Sequence, residues 1–193
     1  MAHILVLYST SDGQTRKIAS FVAEQLREKA HSVDVMDVSA FEGSLVTDGY
    51  DGVIVGASVH SGQHQAAARS FAQRHRNVLR RRPSAFFSVS LAVLDDEHHE
   101  EADRYVSDFL AETGWSPDEV ATVAGALRYT QYGFLKRFLM KQISKRSGRP
   151  TDTSRDFEFT DWKQVARFAD RFRQHVESAA ANRPPSPQST SPS

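Results

Sequence analysis

The polar residues from Ser9 to Thr15 are the segment of the chain best suited to chemistry. They lie between a short apolar run and a helical pattern, and they surround Gly13 with hydroxyl, carboxylate and amide groups. Hydroxyls and successive backbone N–H groups at a helix N-terminus suit a phosphate dianion, and glycine permits close approach of the backbone. No lysine or arginine occurs before Arg16, so phosphate binding would depend mainly on neutral donors. Plain helix capping explains the same residues, and the segment contains neither a dinucleotide-binding nor a Walker glycine motif.

A second candidate is the basic segment from Thr122 to Pro150, which contains no acidic residue. From Tyr132 to Arg146, apolar residues recur with helical spacing, and lysines and arginines take many of the remaining positions. A basic amphipathic helix of this kind can lie on an anionic membrane surface. It can also line a pocket for a large, flat, carboxylated ligand, with an arginine pairing each carboxylate. Ordinary packing against a core, with a solvated basic face, explains the same pattern.

The histidines give little support for a metal or catalytic site. His98 and His99 lie in an acidic run, but adjacent residues of a helix do not converge on one ion. His64 and His75 are expected on the surface of a helix. The chain has no cysteine, which excludes disulfides, thiolate zinc sites and cysteine nucleophiles. We therefore predict no metal site, find no Ser/His/Asp arrangement, and assign no side chain as a general base.

The elements that must position these segments alternate between strands and helices. Apolar and β-branched runs predict strands at residues 3–8, 32–38, 52–57, 85–89 and 120–124. Helical spacing predicts helices after Thr15 and at residues 64–80, 98–113 and 161–178. This alternation predicts an α/β fold with a doubly wound, five-stranded parallel sheet. Ligands of such folds bind beyond the carboxyl ends of the strands, where the loops 9–15, 58–63 and 90–95 follow.

Length and composition fit one globular domain. The chain has 193 residues, of which 39% are hydrophobic and 25% charged, as in ordinary soluble proteins. No apolar run approaches the roughly 18 residues that span a bilayer, and the N-terminus lacks the features of a signal peptide. We expect one domain at residues 1–179, with an insertion at about 127–150. The Pro/Ser-rich tail at 182–193 is expected to be disordered.

Several segments carry a resemblance to a known family. YSTSDGQTRKIA resembles the phosphate loop of flavodoxins, Ser/Thr-x-Thr-Gly-Asn/Gln-Thr, with Asp12 where threonine is common. The chain also resembles the menaquinone-dependent protoporphyrinogen IX dehydrogenases of bacteria (the HemG type, in the flavodoxin superfamily) over nearly all of residues 1–175. The matching segments are DGQTRKIAS, IVGASVHSGQHQAA, PSAFFSVSLAV, AGALRYTQYGFLKRFLMKQISKRSG and FTDWKQVARFA. The last two are the specific ones, because ordinary flavodoxins lack them.

The resemblance implies a flavodoxin-like sheet with strand order 2-1-3-4-5, a basic helical insertion near the fifth strand, and one bound FMN. The positions that match the family's cofactor-binding loops are Thr10, Ser11, Asp12, Gly13, Gln14, Thr15, Ser58, Val59, His60, Ser61, Gly62, Ser90, Leu91, Ala92 and Val93. His60 differs from the residues usual at its position in these proteins. Whether it stacks on the flavin, hydrogen-bonds to it or faces solvent therefore stays open.

The resemblance also implies a reaction. FMN-dependent oxidation of protoporphyrinogen IX to protoporphyrin IX, with menaquinone or ubiquinone as electron acceptor, would serve haem biosynthesis on the cytoplasmic face of the cell membrane. We expect an anionic membrane surface as a partner and no nucleic acid, and leave homo-oligomerisation open. Substrate contacts are expected at Arg128 and Tyr129. Contacts of the insertion with the membrane are expected at Phe134, Lys136, Arg137, Phe138, Lys141 and Lys145.

Three alternatives remain, of which the first two belong to other functional classes. A flavodoxin-like electron carrier would bind partner proteins, but such carriers are usually strongly acidic, whereas the isoelectric point here is about 7.1. A membrane-associated binding protein that has lost its flavin is disfavoured by the retention of Gly13, Gln14 and Thr15. A soluble NAD(P)H:quinone reductase is the nearest enzymatic alternative.

Overall fold

A parallel sheet with helices on both faces organises the computed structural model, which describes residues 1–42, 45, 49–94, 99–127 and 157–182. The strands are β1 (His3–Ser9), β2 (Ser32–Asp37), β3 (Gly52–His60), β4 (Gln63–His64), β5 (Ser84–Ser90), β6 (Glu119–Ala124), β7 (Ala126–Leu127) and β8 (Phe157–Glu158). The helices are α1 (Gln14–Arg27), α2 (Ala66–Leu79), α3 (His99–Thr113) and α4 (Trp162–Ala181). Short 3₁₀ turns follow β2 and β5, at Val38–Ala40 and Ala92–Leu94.

The order of the five parallel strands is β2-β1-β3-β5-β6. β4 lies outside this series, because it pairs only with β3, and in the antiparallel direction. Counting the parallel strands alone gives the order 2-1-3-4-5. The predicted doubly wound, flavodoxin-like α/β fold is therefore confirmed.

Two hydrophobic clusters, one on each face of the sheet, hold the helices in place. Successive side chains of a strand point to opposite faces, and β1 divides accordingly. Ile4 and Val6 pack in a cluster with residues of α1 and α4, while Leu5 and Leu7 pack with residues of α2 and α3. All four side chains are fully buried. A continuous apolar run in the sequence thus marks a strand that is covered on both faces.

β3 is longer than the sequence indicates. The residues 58–63 were expected to form a loop, but the strand continues through His60 and turns back into β4. The two turn residues, Ser61 and Gly62, have positive φ angles of 51° and 79°. Left-handed backbone at both central positions is the conformation of a type I′ hairpin turn, whose twist matches that of the flanking strands. The expected loop is therefore a hairpin that projects beyond the carboxyl edge of the sheet.

The prediction that His64 lies on a helix surface is wrong. α2 begins at Ala66, and His64 belongs to β4, where it is 4% exposed. Its Nε2 lies 2.8 Å from Ser88 Oγ, and its ring contacts Phe86 and Phe109. Burial, with a smaller contribution from the nearby Arg69 charge, lowers the pKa of His64 to about 4. Its imidazole is consequently neutral at physiological pH.

Part of the sequence prediction lies outside the described residues. The antiparallel strands β7 and β8 bracket residues 128–156, which include most of the predicted insertion together with Arg128 and Tyr129. The predicted membrane contacts from Phe134 to Lys145 lie in the same interval, and residues 183–193 of the predicted tail are also outside the description. Among the described helices, none has the length and apolar character to cross a bilayer.

Candidate cofactor site

The carboxyl ends of four neighbouring strands bring the predicted cofactor loops together. In the register of the sheet, Ser9 pairs with Ala57, Ser58 with Val89, and Ser90 with Ala124. Because the strands are parallel, the segments that follow them all leave the same edge. The sheet therefore places the segments 10–15, 58–62 and 90–93 beside one another, as a shared binding site would require.

The segment from Thr10 to Thr15 forms a tight turn that begins α1. Thr10 Oγ1 accepts a 3.0 Å hydrogen bond from the backbone N–H of Gly13. Gly13 is the N-terminal cap of the helix and has a φ angle of 82°, a conformation that residues with a Cβ rarely adopt. The first turn of α1 contains no acidic residue, so the positive end of the helix dipole remains available to an anion.

Two buried hydroxyls in this region make no hydrogen bond within the described part of the chain. They are Thr15 Oγ1 in the first turn of α1 and Ser90 Oγ at the end of β5, and the two residues are 0% and 8% exposed. A buried hydroxyl without a partner costs about 1–3 kcal/mol, and such groups are rare in folded proteins. Their position at the carboxyl edge of the sheet fits a ligand with hydrogen-bonding groups, such as the phosphate and ring of a flavin mononucleotide.

The hairpin after β3 and the turn after β5 lie at the outer part of this site. Ser58 and Val59 are half-buried, whereas His60, Ser61 and Gly62 are exposed. Leu91, Ala92 and Val93 are half-buried, the last two within the 3₁₀ turn. These surfaces are accessible to a flat ring bound at the edge of the sheet.

Tyr105 of α3 stands beside the hairpin. A Cβ placed on Gly62 would lie 3.9 Å from Tyr105 Cε1. The Tyr105 hydroxyl donates a 2.7 Å hydrogen bond to Glu101. Burial and this carboxylate together raise the pKa of Tyr105 to about 12. Tyr105 therefore keeps its proton at neutral pH and does not serve as a general base there.

Gln65, which no sequence pattern indicated as a site residue, connects two of the predicted loops. Its Oε1 accepts a hydrogen bond from Ser9, and its Nε2 donates to Ser11 at 2.8 Å and to Ser58 at 3.0 Å. Gln65 is also the N-terminal cap residue of α2, but its side chain makes no capping hydrogen bond. In the sequence, Gln65 is marked only as a polar residue between the predicted loop 58–63 and a run of alanines.

A second group that was missed lies where the chain returns from residues 128–156. Lys17 of α1 pairs with Glu158 of β8 at 2.6 Å, and the indole N–H of Trp162 donates to the same carboxylate at 2.9 Å. Burial acts to raise the pKa of Glu158, but the hydrogen bonds from Lys17 and Trp162, together with the charge of Lys17, outweigh it and lower the pKa. Lys17 also stands 5.1 Å above the Trp162 ring, within range of a cation–π contact. These contacts fix β8 and the start of α4 against the helix that starts at the predicted phosphate loop.

The described residues contain no group of three or more histidine, aspartate or glutamate side chains able to hold a metal ion. The hydrogen-bonding groups at the carboxyl edge are mainly hydroxyls, amides and backbone N–H groups. Such a set suits an organic anion better than a metal ion, because the latter prefers carboxylate, imidazole or thiolate ligands.

Comparison with known proteins shows the family to which the chain belongs. The flavodoxin domain family matches residues 5–154. Protoporphyrinogen IX dehydrogenase (quinone) of Escherichia coli K12 is 42% identical over 166 residues, which cover 86% of this chain and 91% of that protein. The protein of the same name from Leishmania major is 38% identical over 170 residues, covering 87% and 73%.

Among solved structures, the fold is similar to that of oxidised flavodoxin 1 from Bacillus cereus. The TM-score is 0.53 with 18% identity, over 90% of this chain and 99% of the flavodoxin. At this identity the likeness concerns the fold alone. The match to the flavodoxin domain family indicates a flavin cofactor. The resemblance predicted from the sequence is confirmed, and the chain belongs to the flavodoxin domain family and, within it, to the family of the quinone-dependent protoporphyrinogen IX dehydrogenases.

Proposed function

We propose that this protein is an FMN-dependent enzyme of haem biosynthesis that oxidises protoporphyrinogen IX to protoporphyrin IX and passes the electrons to a quinone. The observation that carries the proposal is the 42% identity to a protoporphyrinogen IX dehydrogenase, which extends over 86% of this chain and 91% of the relative. The shared length includes both the flavodoxin-like strands and the basic segment that ordinary flavodoxins lack.

The reaction removes six electrons and six protons from each protoporphyrinogen IX. The flavin supplies two-electron redox chemistry, so one porphyrin requires three cycles and reduces three quinones to quinols. The contribution of the protein is to hold the cofactor and substrate in place and to exclude competing reactions.

FMN is the flavin that the candidate site suits best. Its phosphate would bind at the first turn of α1, where Ser11, Thr15 and the backbone N–H groups are the neutral donors. Ser90, whose buried hydroxyl makes no hydrogen bond within the described residues, would bind the ring at the other side of the site. A flavin without a phosphate would leave the Thr15 hydroxyl unpaired, which favours the phosphorylated form.

Residues 128–156 are the segment that we assign to the porphyrinogen and to the membrane. Arg128 and Tyr129 come directly after β7, which follows β6 at the carboxyl edge of the sheet, and are the proposed substrate contacts. The basic amphipathic stretch from Tyr132 to Arg146 would lie on the anionic inner surface of the cell membrane. This placement would bring the quinone, which is dissolved in the membrane, close to the cofactor.

Turnover by the purified protein tests the reaction. FMN-reconstituted protein is mixed anaerobically with protoporphyrinogen IX, with and without a menaquinone analogue, and porphyrin fluorescence is followed. We expect quinone-dependent porphyrin formation well above the uncatalysed rate. Bound FMN without any acceleration would overturn the dehydrogenase assignment and favour an electron carrier. Reduction of quinone by NAD(P)H, without porphyrinogen oxidation, would favour a soluble quinone reductase.

Binding to vesicles tests the membrane assignment separately. Charge-reversal of Lys136, Arg137, Lys141 and Lys145 to glutamate should abolish binding to vesicles that contain phosphatidylglycerol. Wild-type protein should bind these vesicles and not purely zwitterionic ones, and its binding should weaken with salt. A matched control reverses Arg74, Arg76, Arg80 and Arg81, four exposed basic residues near the end of α2. Equal loss in both variants would show a dependence on total charge and would contradict a specific role of the insertion.

A further inference from the structure

We propose that Gln65 directs the hydroxyl protons of Ser11 and Ser58 toward the bound cofactor, and thereby makes the site selective for a phosphorylated flavin. This inference rests on the proposed FMN cofactor. It assigns to Gln65 a role that is exerted through Ser11 and Ser58. Gln65 is a positioning residue in this proposal, because its own amide groups are engaged with serines of the site.

The contacts of Gln65 join the ends of two strands to the phosphate loop. Its Oε1 accepts from Ser9, the last residue of β1. Its Nε2 donates one hydrogen bond to Ser11 Oγ, at 2.8 Å, and another to Ser58 Oγ, at 3.0 Å. A glutamine amide has two N–H donors, and these two contacts use both of them.

The direction of these hydrogen bonds determines what the serines can offer to a ligand. A hydroxyl has a single proton and two acceptor lone pairs. Because Ser11 and Ser58 each accept from Gln65, their protons are left for another acceptor. Ser11 is exposed in the loop that begins α1, and Ser58 is half-buried at the next strand end. Both can therefore donate to an anionic or carbonyl oxygen bound at the carboxyl edge.

Neutral groups are the only donors that the segment 9–15 offers to a phosphate. The segment 9–15 contains no lysine or arginine, and its first basic neighbour, Arg16, is an exposed residue of α1. The phosphate charge must therefore be met largely by N–H and O–H groups whose protons already point toward it. A side chain that orients these hydroxyls before the ligand binds lowers the free-energy cost of ordering them when it binds.

Glutamate has nearly the same shape as glutamine, but at position 65 it would reverse the direction of the hydrogen bonds to Ser11 and Ser58. A carboxylate only accepts, so Ser9, Ser11 and Ser58 would all turn their protons toward it. It would also place a negative charge near the phosphate. Position 65 is the N-terminal cap of α2, where the helix dipole favours an acidic side chain, so the variant is expected to fold.

The test compares two flavins that differ only in the phosphate. Flavin-free wild-type protein, Gln65→Glu and the control Gln73→Glu are titrated with FMN and with riboflavin, and the quenching of flavin fluorescence gives each dissociation constant. Gln73→Glu places the same charge two turns further along α2, on an exposed residue outside the serine contacts. We expect Gln65→Glu to weaken FMN binding by roughly 100-fold, because Ser11 no longer donates to the phosphate and a negative charge is placed near it. Riboflavin binding should change by less than about fivefold, and Gln73→Glu should leave both affinities unaltered.

A double-mutant cycle shows whether Gln65 acts through the serines. In a Ser11→Ala, Ser58→Ala background, Gln65→Glu should lose most of its selective effect on FMN, leaving only the part due to charge, which salt screens. Gln65→Ala, which removes the orientation without adding charge, should weaken FMN binding more than riboflavin binding and serves if the glutamate variant fails to fold. Wild-type protein that binds no FMN would overturn the proposed cofactor. Wild-type protein that binds FMN, with a Gln65→Glu variant that weakens both flavins equally or neither, would overturn the role of Gln65 alone.

Discussion

The side-chain amide of Gln14, the first residue of α1, donates a 2.9 Å hydrogen bond to the hydroxyl of Thr160, which lies 146 residues further along the chain. Thr160 in turn donates a 2.8 Å hydrogen bond to the carbonyl oxygen of Ala124, the last residue of β6. One hydroxyl thus connects the helix at the candidate phosphate site with the strand that precedes residues 128–156. The contacts hold the described segments that precede and follow residues 128–156 beside the start of α1.

Replacing Thr160 with valine should measure the strength of this connection. Thr160→Val keeps the shape of the side chain but removes the hydroxyl, so two hydrogen bonds are lost. We expect the free energy of unfolding to fall by about 1–3 kcal/mol, as measured by urea denaturation. Thr122→Val is the matched control, since the half-buried Thr122 side chain makes no hydrogen bond within the described residues and should change stability by less than about 0.5 kcal/mol. Equal stability of the two variants would contradict the connecting role of Thr160.

Thr15→Val should separate stability from cofactor binding. The Thr15 hydroxyl is buried without a partner in the described structure, so its removal should leave the stability of the flavin-free protein unchanged or raise it. The same change should weaken FMN binding by roughly 10-fold to 100-fold, because a donor to the phosphate is lost.

Thr113→Val is the control that should lower stability without changing FMN affinity. The buried Thr113 hydroxyl donates a 2.8 Å hydrogen bond to the carbonyl oxygen of Phe109 within α3. Its loss should lower the free energy of unfolding while leaving FMN affinity unaltered. Calorimetric titration with FMN and urea denaturation measure the two quantities, and a stability loss in Thr15→Val without an affinity loss would exclude the phosphate role.

His64 should make the protein less stable as the pH falls below neutral. Its pKa is lowered to about 4 in the folded state, mainly by burial, from an ordinary value of 6.5. As the pH falls, His64 is therefore protonated in the unfolded chain at a higher pH than in the folded protein. The free energy of unfolding consequently decreases as the pH falls from about 6.5 to about 4. The full effect is about 3 kcal/mol, and it is absent above pH 7.

Urea denaturation of the flavin-free protein at a series of pH values checks this expectation. The difference in stability between wild type and His64→Gln should change by that amount across the interval from pH 7 to pH 4. A profile for His64→Gln that runs parallel to that of wild type would show that the buried histidine is not the source of the pH dependence.

Gly56 should tolerate no side chain. A Cβ at this position in β3 would lie 1.9 Å from Cζ of the Phe87 ring, which crosses the strand. Gly56→Ala is expected to lower the free energy of unfolding by about 3 kcal/mol or more, or to prevent folding. Combining Gly56→Ala with Phe87→Leu should cost less than the sum of the two single changes, because the smaller side chain relieves the clash. Additive losses, measured by urea denaturation, would contradict this contact.

The sequence alone determined the order and type of the principal elements. The runs at residues 3–8 and 52–57 predicted buried parallel strands, and both are covered on two faces. Hydrophobic periodicity is a local signal, since it depends only on which face of one strand or helix meets the core. Local polarity likewise predicts the segment 9–15 at the start of a helix, where the structure has Gly13 as the N-terminal cap of α1.

Only the tertiary structure decided which polar side chains meet. Gln65 reaches Ser9 and Ser11 across more than 50 residues, and Gln14 reaches Thr160 across 146. His64 was misplaced because its neighbours in the sequence suggest an exposed helix, whereas Ser88, Phe86 and Phe109 bury it. A polar side chain hydrogen-bonds to whichever partner the fold brings within about 3 Å, and sequence periodicity does not predict that partner. The backbone elements of this protein could therefore be predicted from local patterns, but the hydrogen bonds that shape its cofactor site follow from packing between distant segments.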